Sequence, residues 1–264
     1  MRQFLVLVLL AAAMTTTAGT PVTIHVDDAY IPYSFSDNGT PKGIYIDVLK
    51  AAFAKMDDQF TVTLVPVPWT RGKKMMEEGT GYGLTPAFFH GHDWPYLYPY
   101  SLPFYTETIQ AICTPPTLDT ARANWPDDYI GLRIGNVKGF DGWGGEKFHQ
   151  LVKDGQIKYQ EAKGSEANLL KLVNNRVDCI MMEIGAYHYE LERLNAIGKL
   201  KGTAFPEPVI GALVGEDPVY IGYSKAMVDS GKVPHHRDFM QAFDSIIYQM
   251  GKSGEIEKIM RAYQ

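Results

Sequence analysis

The chain has 264 residues, of which 45% are hydrophobic, and it carries a formal net charge of −5. This length allows one large domain or two smaller ones, and the apolar content is sufficient for a buried core. The net negative charge and the lack of a polybasic run argue against a nucleic acid as partner.

Residues 1–19 are predicted to form a removable export signal. A positive start, Met1-Arg2, precedes an apolar run from Phe4 to Met14, and small residues follow at Thr16-Thr17-Ala18. The run is too short to span a bilayer comfortably, so a signal peptide is preferred to the alternative of a membrane anchor. The mature protein is therefore expected to be exported.

Strands and helices alternate along the first half. Strands are predicted over 22–26, 60–67 and 109–113, and helices over 45–56 and 70–78, with Thr70 as the N-cap of the second. Residues 27–42, rich in Pro, Gly, Ser and Asn, are predicted to be a loop.

The second half repeats this order. Strands are predicted over 131–137, 157–159, 177–182 and 219–223, and helices over 147–152, after a cap at Ser165, over 237–250 and over 255–263. Such alternation predicts an α/β protein with mainly parallel sheets, in which ligands bind beyond the carboxyl ends of the strands.

Two cysteines, Cys113 and Cys179, lie in apolar stretches. An oxidising compartment would allow them to pair, but buried free thiols are compatible with the same pattern. The sequence leaves both alternatives open.

The stretch FFHGHDWPYLYPYS, residues 88–101, contains two histidines, an aspartate and several aromatic rings. His90, His92 and Asp93 could bind Zn²⁺ or Cu²⁺, although no further strong ligand is evident. We therefore interpret the stretch as the wall of a pocket, with a metal site as the alternative.

Four stretches carry a resemblance to a known family. They are DAYIPYSF followed by GIYIDV (28–35 and 43–48), PWTR followed by YPYSLPFY (68–71 and 98–105), RVDCIMME (176–183), and GEIEKI (254–259). In their order and spacing the chain resembles the family 3 extracellular solute-binding proteins, which are periplasmic receptors of polar amino acid ABC transporters.

The resemblance implies a two-lobed periplasmic-binding-protein-like fold of type II, with two hinge strands. Lobe 1 would comprise residues 20–107 and 220–264, and lobe 2 residues 108–219. A small ligand would be caught between the lobes as they close. The implied protein is a periplasmic monomer that works with an ABC permease and has no cofactor, metal or enzymatic activity.

The resemblance fails where the family holds the carboxylate of an amino acid. The arginine usual there falls on Trp94, counted seven residues back from Ser101, and small or hydroxyl-bearing positions fall on Ala87 and Phe89. In lobe 2 the usual threonine falls on Phe140. Guanidinium is the side chain best shaped for a carboxylate, so this part of the site is largely missing.

The acidic position is retained. Glu183 follows Asp178 by five residues, where the family places the carboxylate that pairs with the amine of the ligand. A carboxylate at the end of a buried strand requires a positive partner. The alternative to a ligand is an internal ion pair with Arg133 or Lys138.

Aromatic residues are expected to complete the site, because rings attract a cation over their faces. The side chains of Asp27 and Asp28 either add negative charge or cap a turn. Arg71 is a candidate for the missing cation, although a solvated helix position is preferred. The ligand candidates besides Glu183 and Arg71 are Tyr30, Tyr33, Trp69, Phe88, Phe89, Trp94 and Phe140.

These observations predict a binding protein for a small polar, amine-bearing ligand, either an amino acid or a related amine. One alternative is an enzyme of the same fold that resembles cyclohexadienyl dehydratases, whose carboxylate substrates would require cationic anchors. Others are a ligand-carrying sensory module and a degenerate receptor that has lost its ligand.

Overall fold

The computed structural model describes residues 19–89 and 94–263. The strands are β1 Thr20–Asp27, β2 Ala29–Tyr30, β3 Ser34–Asp37, β4 Thr40–Lys42, β5 Phe60–Val67, β6 Gly83–Ala87, β7 Leu97–Tyr100, β8 Tyr105–Cys113, β9 Arg133–Val137, β10 Lys158–Ala162, β11 Cys179–Glu183 and β12 Val209–Ser224. The helices are α1 Ile44–Phe53, α2 Trp69–Glu77, α3 Pro115–Leu118, α4 Gly145–Lys153, α5 Ser165–Val173, α6 Ile184–Ala196, α7 Lys225–Asp229, α8 His236–Ser253 and α9 Glu255–Arg261, with a 3₁₀ helix at Asp127–Tyr129.

Most of the strands form one sheet in the order β10-β9-β11-β8-β12-β6-β1-β5, to which β7 adds by pairing with β12. The two ends of the sheet are parallel, since β1 pairs with β5 and β6, and β9 pairs with β10 and β11. We call β1, β5, β6 and β7 the β1 half, and β9, β10 and β11 the β9 half. The predicted α/β class is confirmed.

The two halves are joined by the long antiparallel pair β8 and β12. Glu107 lies opposite Asp217 in this pair. Beyond that point β8 continues into pairing with β11, whereas β12 ends beside β6 and β7. This topology suits the expected pair of hinge strands, while the lobe boundaries at 107 and 220 stay a prediction.

Several predicted elements need correction. The segment predicted as a loop over 27–42 contains a small antiparallel sheet of β2, β3 and β4. Thr70 and Ser165 lie inside their helices, and the N-cap positions are occupied by Pro68 and Gly164, with no side-chain cap bond. Helix α6 was not predicted, because apolar and polar residues alternate irregularly over its thirteen residues.

The core of the β1 half is packed by phenyl rings from α1 and α8. The Phe53 ring lies 5.6 Å from that of Phe243 and 6.2 Å from that of Phe239, measured between centroids. Phe239 also meets the Phe60 ring edge-on at 5.2 Å. Burying each such side chain contributes about 1.5–3 kcal/mol, so these contacts hold the helices against the sheet.

Cys113 and Cys179 form a disulfide, with sulfur atoms 2.02 Å apart. The antiparallel register of β8 and β11 places these two residues directly opposite each other, at the end of one strand and the start of the other. The alternative of two free thiols is therefore wrong. Within the described part of the chain, no helix is long and apolar enough to cross a membrane.

Candidate functional site

Phe140 lies at the centre of the contact between the two halves. The turn that follows β9 carries its ring to within 5.3 Å of Tyr30 and 6.4 Å of Trp69, between centroids and nearly edge-on in both cases. On the other side it meets the Trp143 ring at 5.1 Å. This aromatic contact joins the β1 half to the β9 half.

Polar bonds from α2 reinforce the contact. The Trp69 indole N–H donates to the carbonyl oxygen of Gly139 at 3.0 Å, and the Lys73 ammonium donates to the same oxygen at 2.8 Å. Lys73 also forms an ion pair with Asp141 at 2.6 Å. Gly139 has φ of +84°, and a Cβ there would come within 2.7 Å of the Thr70 methyl carbon. A glycine is therefore required for this close approach.

Glu183 is buried where β11 passes into α6, with 1% of its surface exposed. Its Oε2 atom accepts a hydrogen bond from the Tyr33 hydroxyl at 2.7 Å and another from the Ala186 N–H at 2.8 Å. The Oε1 atom has no hydrogen-bond partner among the described residues. Burial raises the pKa of this carboxyl, although the Tyr33 hydroxyl and the nearby backbone N–H groups of Ala186, Gly185 and Thr108 oppose the shift.

Of the internal ion pairs considered for Glu183, the one with Arg133 is wrong. The Arg133 guanidinium binds Asp178 at 2.6 Å and also donates to the carbonyl oxygen of Asn175 at 3.1 Å. Lys138 lies in the wall of a cavity that Glu183 does not reach. The described part of the chain therefore supplies no cation to this carboxylate.

A second buried carboxyl, Glu107, was missed from the sequence. Its oxygens accept hydrogen bonds from the hydroxyls of Tyr30 at 2.9 Å and Tyr45 at 2.7 Å. Burial, with a further contribution from the charge of Glu183, raises its pKa well above the ordinary value. The sequence does indicate that Glu107 is buried, because strand alternation places it on the same face as the apolar Ile109.

Asp27 is a buried turn residue at the end of β1. Its Oδ1 atom accepts from the Ala29 N–H at 2.9 Å, and its carbonyl oxygen accepts from the Ser34 hydroxyl at 2.7 Å. Burial raises the pKa of this carboxyl to about 7. The turn-cap interpretation is therefore right for Asp27, and the residue also contributes a titratable group to a cavity wall.

Three cavities have walls that contain predicted site residues. The Lys163 cavity, of about 660 Å³, is lined by Asp27, Asp28, Ala29, Pro68, Trp69, Thr70, Val137, Lys138, Phe140, Glu161, Ala162 and Lys163. The Trp143 cavity, of about 610 Å³, is lined by Trp94, Ile109, Asp141, Gly142, Trp143, Gly144, Gly145, Glu146, His149, Val214, Gly215, Glu216 and Asp217. The Tyr189 cavity, of about 390 Å³, is lined by Pro32, Tyr33, Ile44, Tyr105, Glu183, Ile184, Gly185, His188, Tyr189, Glu192, Met260 and Tyr263.

The predicted ligand residues are thus distributed rather than gathered in one pocket. Trp69 and Phe140 line the Lys163 cavity, Trp94 lines the Trp143 cavity, and Tyr33 and Glu183 line the Tyr189 cavity. Trp143, Tyr105 and Tyr189 are wall residues that were not predicted from the sequence.

The remaining candidates lie outside these walls. Tyr30 and Phe88 are buried in the aromatic core. Phe89 is 63% exposed and packs edge-on against Tyr100. Arg71 is an exposed residue of α2, as the preferred interpretation held. His90, His92 and Asp93 lie outside the described residues, as do residues 1–18 of the predicted signal peptide.

No arginine is found in the walls of these three cavities, as far as the described residues show. At the position where the resembled family has its arginine, Trp94 instead receives the Lys73 ammonium 5.0 Å above its ring. Acidic and aromatic groups therefore dominate the surroundings of the central contact, and cations are the ligands that such walls favour.

The fold is shared with solved structures. An arginine 3rd transport system periplasmic binding protein from Legionella pneumophila is 16% identical, with a TM-score of 0.68 over 93% of this chain and 100% of that chain. The ancestral amino acid-binding protein AncCDT-1, a precursor of cyclohexadienyl dehydratase, is 17% identical, with a TM-score of 0.64 over 92% and 94%. A histidine kinase sensor domain with similarity to periplasmic binding proteins is 14% identical, with a TM-score of 0.69 over 93% and 96%.

These similarities and the joined α/β halves show a two-lobed α/β fold of the type II periplasmic-binding kind. Residues 22–81 match the model of the bacterial extracellular solute-binding proteins, family 3. This partial match agrees with the family resemblance predicted from the sequence. No curated protein sequence matches the chain.

Proposed function

We propose that this protein captures a small amine-bearing ligand in the periplasm and delivers it to an ABC permease. The matched family consists of extracellular solute-binding proteins, and one structural relative is named as a periplasmic component of an arginine transport system. The predicted export signal agrees with that location.

The observation that carries the proposal is the state of Glu183. Its carboxyl is buried, one oxygen has no partner in the described chain, and no described cation pairs with it. A buried carboxylate is costly unless a positive group meets it. An ammonium group provides both the charge and the missing hydrogen-bond donors.

Calorimetric titration of the mature protein with amines, amino acids and dicarboxylates tests this proposal. Glu183→Gln keeps an oxygen for Tyr33 but removes the charge. Since hydrogen bonds to charged groups contribute about 1.5–3 kcal/mol, we expect amine affinity to fall by about 10- to 100-fold. Tight binding of a dicarboxylate that is unchanged in Glu183→Gln would refute the proposal.

Glu190→Gln is the matched control. Glu190 lies on α6, the helix that follows Glu183, and its side chain is only 1% exposed, but it pairs with Arg193 at 2.8 Å and lines none of the three cavities. The control variant should be destabilised and should retain the amine affinity of the unmodified protein. Equal losses in the two variants would show that the effect is structural.

A dehydratase remains the second candidate because Lys138 and Lys163 lie together in the Lys163 cavity. Two ammonium groups could anchor a carboxylate substrate, as the activity requires. Incubation with prephenate distinguishes the two functions. Release of phenylpyruvate would establish the dehydratase activity, and no release would favour the binding function.

A further inference from the structure

The Tyr189 cavity is the one of the three described cavities that contains Glu183, and it has an exposed rim. Tyr33 and Glu183 are buried at its base, with 3% and 1% of their surfaces exposed. His188, Tyr189 and Glu192 are exposed around its opening. The cavity therefore leads from the surface of the protein towards the unsatisfied carboxyl.

We propose that the ligand enters the Tyr189 cavity and that it is an organic cation without a carboxylate. This inference rests on the proposed function and specifies both the cavity and the ligand class. Glu183 lines this cavity and neither of the other two. An ammonium group must therefore approach Glu183 from the α6 side rather than past Trp69 and Phe140.

Helix α6 supplies one continuous wall of the cavity. Gly185, His188, Tyr189 and Glu192 are spaced by three or four residues, which places them on one helical face. Glu192 thus adds a second carboxylate near the opening. Nine residues separate it from Glu183, or about 13 Å along the helix axis, so an elongated diamine suits the two charges better than a compact amine.

The composition of the walls selects against a carboxylate. The lining residues comprise two glutamates and four tyrosines, and they include neither lysine nor arginine within the described chain. A carboxylate placed here would face like charges, with His188 as the one basic side chain among the described wall residues, whereas tyrosine rings attract an alkylammonium. Amino acids are therefore expected to bind more weakly than the matching amines.

Gly185 maintains the bond between Tyr33 and Glu183. A Cβ at this position would lie 2.5 Å from the Tyr33 hydroxyl and 3.2 Å from Oε2 of Glu183. Any side chain would force the hydroxyl away. Gly185→Ala consequently changes the floor of the cavity without changing its charge.

The cavity is also bounded by the C-terminal helix. Tyr263 lies just beyond α9, and its hydroxyl donates to Oδ2 of Asp47 on α1 at 2.5 Å. Met260 lies on α9 itself and forms part of the same wall. A ligand in this cavity would therefore touch α6, which follows β11 of the β9 half, and also the C-terminal segment that packs on α1.

The test is calorimetric titration of the mature protein with n-butylamine, 1,4-diaminobutane, 1,8-diaminooctane, lysine and arginine. We expect the diamines to bind more tightly than n-butylamine and lysine. Glu192→Gln should weaken the longer diamine by about two- to fivefold, as for an exposed ion pair, and should leave n-butylamine unchanged. Gly185→Ala should weaken every amine at least tenfold.

Glu161→Gln is the matched control, because Glu161 lines the Lys163 cavity and is absent from the Tyr189 cavity. It should leave all amine affinities unchanged. Loss of amine binding in Glu161→Gln, with no effect of Glu192→Gln, would overturn the assignment of the cavity while the proposed function stands. Failure of every amine to bind would overturn both, and tighter binding of lysine than of the diamines would overturn the ligand class.

Discussion

Asp27, in the wall of the Lys163 cavity, gives a sharp test of how burial acts on a wall carboxyl, since its pKa is raised to about 7 from an ordinary 3.8. The folded state therefore holds this proton more tightly than the unfolded state does. Between about pH 4 and pH 7 the unfolded chain binds fewer protons, so the free energy of unfolding falls as the pH rises. Asp27 destabilises the protein when it is ionised, and the full cost is reached above pH 7.

The size of the effect follows from the shift. At about 1.36 kcal/mol per pKa unit, the cost is about 2 kcal/mol at pH 5 and about 4 kcal/mol at pH 8. Asp27→Asn keeps an oxygen for the Ala29 N–H and removes the titration. The difference in the free energy of unfolding between Asp27→Asn and the unmodified protein should therefore shift in favour of the variant by about 2–3 kcal/mol as the pH rises from 5 to 8.

Urea unfolding of the ligand-free protein at both pH values measures this difference. Asp28→Asn is the control, because Asp28 is only half-buried and should show a much smaller change. An identical effect of Asp27→Asn at pH 5 and pH 8 would refute the raised pKa. A rise in stability with pH that disappears in the variant would show that the sign is wrong.

Three further predictions concern the framework of the site. Replacing both Cys113 and Cys179 by serine opens a 66-residue separation and should cost about 4 kcal/mol in urea unfolding; a loss below 1 kcal/mol would contradict the chain-entropy argument. Gly139→Ala should weaken the contact with α2 by about 1–2 kcal/mol and increase the radius of gyration in X-ray scattering, which an unchanged radius would contradict. Tyr45→Phe removes one of two donors to Glu107 and should lower the free energy of unfolding by about 1–2 kcal/mol, whereas Tyr248→Phe, an exposed control, should have no effect.

The sequence by itself determined the class of fold and the order of most elements. The apolar alternation over 60–67 coincides with β5, and the spacing of Tyr45, Val48, Leu49 and Ala52 coincides with the buried face of α1. These predictions succeed because the spacing of apolar side chains along a helix or strand can be seen directly in the local sequence. The position of Glu183 at the end of a strand was instead implied by the family resemblance, and the structure places it at the end of β11.

Only the tertiary structure decided which of these residues meet. The pairing of Cys113 with Cys179 depends on the register of two strands far apart in sequence, and the burial of Glu107 depends on tyrosines from β2 and α1. The aromatic residues expected to complete one ligand site are distributed over several cavity walls and the core, because edge-on packing of Phe140 against Tyr30 and Trp69 fills the space between the halves. Such contacts join distant segments, and no local pattern in the chain encodes the distances between them.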